Sequence, residues 1–411
     1  MKKMIVSTLL VLSLVACGKE DDNSIVKDNA NFDKNDYQKI ISPNNALGFH
    51  LLDEVDPDED GNIFISPTSL LMALSMVYNG ADGETKKEIA DTLQAEGMEV
   101  DELNKANASL MSIMNDDSKQ VQLDVGNSIW LNGVFHFQDD FAEKNKDYFN
   151  AEIQEIDVDD EKSADKINDW VKEATNDKID KITDAPLDSN MVAMLINAIY
   201  FQGAWTNAFD ENETADQAFH MDDGSTKDVP LMKLKEDLMY METDGFQAVA
   251  LPYGDDEEMS MHIFLPGENS SLRDFRKKLT NENWEKWKSE FQEQKGTIML
   301  PKFQLEYEAT LNESLAALGM EKAFDKDKAN FEKMIEEDDP LWISEVKQKT
   351  FIDVNEEGTE AAGATSSEME TTSAPIDEPF EIKVNRPFFI AITDNETEAI
   401  LFMGTIYDPG N

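Results

Sequence analysis

One cysteine and four histidines in 411 residues leave little material for thiol or imidazole chemistry. Cys17 has no partner for an internal disulfide, so the fold must hold together by packing alone. His50, His136, His220 and His262 lie far apart, and no two share the helical spacing of a metal-binding pair. Positive charge is also scarce. The chain carries 36 basic against 86 acidic residues, a formal net charge of −50 that repels phosphate backbones and excludes nucleic acid as a partner. Neighbouring carboxylates such as Asp139-Asp140 and Asp159-Asp160-Glu161 read as solvated surface, where screening acts within about 8 Å at physiological salt. G-x-S-x-G, P-loop and G-x-G-x-x-G motifs are missing as well. No enzyme activity, cofactor or metal site is expected.

What is present suits a large core: 40% hydrophobic residues, with Phe 22, Met 20 and Trp 6. At the N-terminus, Lys2 and Lys3 precede an apolar run from Met4 to Val15 that is too short for a permanent membrane span and reads as an export signal. Leu14-Val15-Ala16-Cys17 resembles the lipobox of bacterial lipoproteins, which implies cleavage after residue 16 and diacylglycerol on the Cys17 sulfur. Lys19-Glu20-Asp21-Asp22 resembles the acidic signal that sends some Gram-negative lipoproteins to the outer face of the cell. The expected organisation is a signal peptide over 1–16, a lipidated flexible tether over 17–36, and one domain over 37–411.

The pattern along that domain predicts an α+β fold, without the regular strand–helix alternation of a parallel sheet. NIFISPTSL, 62–70, gives a short apolar strand followed by Ser66-Pro67, a cap and first-turn pair opening a helix that Gly80 ends. Thr85 with Glu88, and Thr310 with Glu313, have capping-box spacing, the second helix stopping at Gly319. MVAMLINAIYF, 191–201, is apolar on both alternating faces, as a central strand covered on each side should be. MSMHIFLP, 259–266, and TIMLPKF, 297–303, read as further strands, with His262 a sheet residue rather than a ligand. PFFIAIT and AILFMGTI flank DNETE, 394–398, as a hairpin does.

One segment stands apart. EEGTEAAGATSSEMETTSAP, 356–375, has almost no large apolar residues. From Thr359 onward the odd positions (Thr359, Ala361, Gly363, Thr365, Ser367, Met369, Thr371) are uncharged, while Glu360, Glu368 and Glu370 are all even. As a strand, the segment would turn its acids to water and its odd set to a core. It lacks proline from Glu356 to Ala374 and can join a ladder, yet it lacks the bulk to nucleate one. It is suited to insertion between strands that already exist.

These features resemble the serpin family. Glu356-Glu357-Gly358-Thr359-Glu360-Ala361-Ala362-Gly363-Ala364 is similar to the proximal hinge of inhibitory serpins, and Arg386-Pro387-Phe388 through Leu401-Phe402-Met403-Gly404 to their C-terminal signature. NIFISPTSL, INAIYFQGAW (196–205), ALPY (250–253) and LPKF (300–303) match family blocks in order, over roughly residues 45 to 409. The resemblance implies three antiparallel or mixed β-sheets, eight or nine helices, and an exposed reactive-centre loop over about 356–380. It implies no catalysis. Instead, a target serine protease, or a cysteine protease, acylates on the loop and is trapped as the cut loop inserts into the main sheet. Thr359 would enter first, with Gly358 supplying the freedom for the turn.

By the same resemblance Ser66, Ser69 and Asn197 form a shutter beneath the opening sheet, Trp205 lies at the breach above, and Gln348 stands where serpins commonly have histidine. Counting from the hinge places the cut at Thr372-Ser373, with Met369, Glu370, Ala374 and Ile376 as alternatives. Thr372 suits elastase-like or subtilisin-like proteases, and trypsin-like targets are disfavoured because no basic residue lies between Gly358 and Ile376. The expectation is a monomeric inhibitor anchored by lipid to the outer membrane or surface of a Gram-negative bacterium. The alternative is a non-inhibitory binding or structural protein on the same scaffold.

Overall fold

The computed structural model describes residues 30–114, 120–359 and 379–410. Cys17 and the signal, the hinge residues Glu360, Ala361, Ala362, Gly363 and Ala364, and the cleavage candidates Met369, Glu370, Thr372, Ser373, Ala374 and Ile376 lie outside the described residues.

Two sheets organise the chain. The first has strand order β10 (Phe303–Thr310), β11 (Ile343–Val354), β12 (Gly358–Thr359), β4 (Ala193–Ala204), β2 (Val121–Asn132) and β3 (Glu152–Ile156). The second runs β1 (Ile63–Ile65), β15 (Ile400–Ile406), β14 (Phe388–Asp394), β8 (Met259–Pro266), β7 (Phe246–Tyr253), β6 (Thr226–Glu242), β9 (Gln292–Pro301) and β13 (Phe380–Lys383), with β5 (Ala215–His220) on β6. Two of the three expected sheets are thus joined by hydrogen bonds, because the 17-residue β6 pairs with β5 at its start and β7 at its end. Most pairings are antiparallel, but β4 with β11, β2 with β3, and β9 with β13 are parallel.

Nine α-helices occur among the described residues: α1 (Ile41–Glu54), α2 (Pro67–Tyr78), α3 (Gly83–Thr92), α4 (Val100–Met114), α5 (Asp139–Phe149), α6 (Lys162–Ala174), α7 (Leu272–Arg276), α8 (Asn281–Glu290) and α9 (Asn312–Ala317). None is long and apolar enough to cross a membrane. Every residue of α2 is buried, as its all-round apolar sequence requires, because it lies between the sheets against β4, β2 and β15. β4 is buried on both sides, as its sequence predicts. Ala193, Leu195, Ile199 and Phe201 join the main core, while Met194, Ile196, Ala198 and Tyr200 pack under Ala164, Ile167 and Val171 of α6.

Both capping boxes are absent. Asp82, not Thr85, caps α3 through the Gly83 N–H, and Thr85 lies inside the helix, where its hydroxyl accepts from Asn330. Thr310 is the last residue of β10, and α9 begins after Leu311 without a side-chain cap. Gly319 does end that helix, at φ +111°, with Met320 N–H reaching back to Leu315. The folded body also reaches back past residue 37. Ala30 and Phe32 pack on the core, and Ser109 of α4 donates to the Lys34 carbonyl.

Candidate functional site

β4 and β11 are the two central strands of the first sheet, paired in parallel from Ile343↔Ala193 to Phe351↔Tyr200. Beyond that point they part. Into the gap the chain returns from β11 through Asn355–Gly358 and lays down β12, whose Thr359 pairs antiparallel with both Val354 and Gly203. Asn355 closes the turn, since its N–H donates to the Gly358 carbonyl at 2.9 Å and its Oδ1 accepts from Glu357 N–H at 3.0 Å. The start of the polar segment is therefore already the beginning of an added strand.

Gly358 could not be another residue here. Its φ is +153°, and a Cβ would stand 2.1 Å from the Gly203 carbonyl oxygen and 2.7 Å from the Ala204 Cα. Thr359 is fully buried, and its hydroxyl shares a 2.8 Å hydrogen bond with the phenol of Tyr253. Burial keeps that phenol protonated by pushing its pKa far up, against a smaller opposite effect of the Thr359 bond.

Trp205 occupies the breach position. Its indole N–H donates to the Asn355 carbonyl at 3.0 Å, its ring stacks on Tyr253 at 4.3 Å, and its backbone N–H holds the Glu357 carbonyl at 3.0 Å. Glu356 is buried beside it, ion-paired with Lys302 at 2.8 Å and accepting from the Thr214 hydroxyl at 2.8 Å. Burial alone would raise the Glu356 pKa, but Lys302, a backbone N–H and Thr214 together outweigh it and hold the carboxyl below its ordinary value.

The shutter residues come together below. Asn197 of β4 and Gln348 of β11 are register partners, and Asn127 of β2 is the partner of Asn197 on its other side. Gln348 Nε2 donates to Asn197 Oδ1 at 2.7 Å and to the Ser66 carbonyl at 2.9 Å, while its Oε1 accepts from Ser66 N–H at 3.0 Å. Asn197 Nδ2 donates to Ser69 Oγ and, at 2.7 Å, to Asn127 Oδ1. Ser66 caps α2 by accepting from Ser69 N–H and donates its own hydroxyl to the Leu401 carbonyl at 2.7 Å. Ser66 is thus both helix cap and shutter, a row of amides crosses three strands, and the position where serpins commonly have histidine is filled by a side chain that does not titrate.

Glu356, Gly358, Thr359, Trp205, Gln348, Asn197, Ser66 and Ser69 therefore cluster along one seam. Asn127, Thr214, Tyr253 and Lys302 complete it and were not singled out in the sequence. Tyr253 and Lys302 do sit inside the ALPY and LPKF blocks, which was the available signal; Thr214 had none. The histidines do not gather. His50, His136 and His220 are exposed and His262 is buried in β8, and among the described residues no metal-binding group of His, Cys, Asp or Glu occurs.

A central sheet whose two middle strands part at one end around β12 is the feature that defines this site. The chain belongs to the serpin family, whose model, described as serine protease inhibitor, matches residues 42–409. It is 31% identical over 378 residues to an uncharacterized serpin-like protein of Methanosarcina acetivorans, covering 90% of this chain and 86% of that one. Among solved structures it is similar to the thermophilic serpin Tengpin in the native state (TM-score 0.83, 33% identity, 92% of this chain and 95% of that one). It is also similar to human thyroxine-binding globulin complexed with thyroxine (TM-score 0.81, 25% identity, 92% and 100%). The family is one of protease inhibitors rather than catalysts, though it includes carriers.

Two outcomes follow from this geometry. Gln348→Ala strands Ser66 N–H and Asn197 Oδ1 in the core and removes one of the two hydrogen bonds to the Ser66 carbonyl, which Leu70 N–H also holds, and should lower the urea-unfolding free energy by roughly 1–3 kcal/mol. Gln348→His should make that stability vary between pH 5 and 7, where the native amide contributes no such slope. At the hinge, a carboxylate pKa held below 4.5 means the Glu356 contacts are complete above that pH and weaken as pH falls below it. Protection of the Thr359 amide, relative to its intrinsic exchange rate, should therefore fall on acidification below about pH 4.5, and Lys302→Met should lower it already at pH 7; equal protection in both proteins at pH 7 would remove the ion pair from the hinge.

Proposed function

We propose that this protein is an inhibitory serpin that traps a serine protease as a suicide substrate, by inserting its cut loop as a further strand of the first sheet. The observation that carries this reading is β12, the two residues already lodged between β11 and β4 with their backbone running antiparallel to both. Continued one residue at a time, the same register brings Thr365 opposite both Asn197 and Gln348, in the middle of the shutter. The even positions Ala362, Ala364 and Ser366 then come opposite Tyr200, Ala198 and Ile196, the face covered by α6. That face is not open water. Small residues fit at these three positions, Glu360, opposite Gln202, falls above them, and Glu368 comes opposite Met194 at the lower end of the covered face.

Insertion exchanges the eight parallel register pairs of β4 and β11 for two antiparallel ladders. A dozen new hydrogen bonds at about 0.5–1.5 kcal/mol each, with burial of the odd face, supply on the order of 10 kcal/mol to displace the protease before water frees it. Thr372-Ser373 remains the favoured cut, and its small β-branched residue points to elastase-like or subtilisin-like enzymes. Mixed with such a protease, the protein should give an SDS-stable band of summed mass, and loop cleavage should raise its melting temperature. Thr359→Arg, which would bury a charge without a partner, should be cleaved without forming that band. A cut protein that melts no later than the intact one, with no covalent band, would favour the carrier reading that thyroxine-binding globulin represents within this fold.

We further propose that lipid on Cys17 anchors the inhibitor to the outer membrane or surface of a Gram-negative cell, on the strength of Leu14-Val15-Ala16-Cys17. Labelled palmitate should be incorporated by the full chain and lost in Cys17→Ala; labelling that survives the substitution would refute the anchor.

A further inference from the structure

Beside the breach, where Asn207 and Pro252 neighbour Trp205 and Tyr253 in the chain, a cavity of about 320 Å³ opens between the C-terminal end of α8 and the ends of β6, β7 and β8. Its lining is mixed: Leu238, Met239, Ala250, Pro252 and Phe291 form an apolar wall, and polar and charged side chains make up the rest. Met239 is one of two large hydrophobic residues exposed among the described ones, at 44%. Lys288, in the last turn of α8, lines the same cavity. In a chain with 86 acids it has no carboxylate partner: among the described residues its Nζ has one polar neighbour, Nε2 of buried His262, at 3.1 Å.

That neighbour is poorly suited to an ammonium. Nε2 also lies 3.0 Å from Thr393 Oγ1, and Nδ1 is buried with no partner. A neutral imidazole with its proton on Nδ1 could accept from Lys288, at the cost of burying that N–H unpaired. With the proton on Nε2, the ring donates to Thr393 and presents a positive edge to Lys288, which an uncharged amine tolerates and an ammonium does not. The first arrangement accepts the lysine in either charge state, and only the second disfavours the charged form. Burial acts the same way on both groups, lowering the pKa of Lys288 and pushing that of His262 well below its ordinary range, with Glu398 a smaller opposing influence on the lysine.

We propose that Lys288 is a reactive amine serving this cavity, and that the cavity takes a small, neutral aldehyde as an imine. The volume is at the low end for ligand pockets, which limits the ligand to a small molecule. The lining carboxylates Asp237, Glu257 and Glu293 disfavour anionic carbonyl compounds and offset the charge of a protonated imine. In the reaction the amine lone pair forms a C–N bond to the carbonyl carbon, the nitrogen gives its protons up, and the carbonyl oxygen leaves as water; no oxidant or reductant is consumed.

The probe is hexanal at pH 7 with cyanoborohydride added to fix the imine, read by peptide mass spectrometry on the full chain. Lys288 should be alkylated at least tenfold faster than Lys286 on the same helix, with saturation in hexanal. Met239→Trp, a rim substitution that narrows the entrance, should slow Lys288 while leaving Lys286 unchanged. Equal rates at the two lysines in the native protein would overturn the proposal, as would Lys288 labelling that ignores the Trp substitution.

Discussion

The parallel pairing of β4 with β11 is the contact on which the rest of the molecule turns. Parallel strands are ordinarily deep and closed, and both strands here are buried on their two faces for much of their length. At one end, however, they diverge, and the gap is filled by the chain's own next residues. Two sets of contacts flank that wedge: the amide row of Asn127, Asn197 and Gln348 bridges the strands below, and Trp205, Tyr253, Lys302 and Glu356 hold β12 and its turn above.

Gln348 shows how such a contact can be rebuilt with different chemistry. It meets Ser66 with a donor and an acceptor at once, and reaches Asn197 with its second N–H. A neutral histidine offers one donor and one acceptor, and so would satisfy fewer of these groups. The amide therefore binds the helix cap to the sheet more completely, and it does so independently of proton concentration.

Much of this was legible in the residues themselves. The strand β1, the Ser66-Pro67 start of α2, the doubly apolar β4, β8 and the C-terminal hairpin all follow from periodicity and local turn chemistry, which are properties of neighbouring residues. The two misread caps show the limit: Thr85 and Thr310 have the right spacing, but Asp82 lies one turn earlier in one case and β10 runs through the threonine in the other. The grip on the hinge was out of reach for a different reason. Lys302 and Thr214 lie 54 and 142 residues from Glu356, and only the fold makes them neighbours. The parity of the polar segment suggested water on one side; that α6 covers one face of β4 is a fact that belongs to another element altogether.

Trp205 brings a last consequence. Its indole is stacked face to face on Tyr253 and tethered to the carbonyl that begins the hinge turn, so the aromatic pair feels any displacement of that turn. The molecule consequently carries a built-in optical gauge. Its ultraviolet emission should register the sheet's change of state from within, with no attached dye.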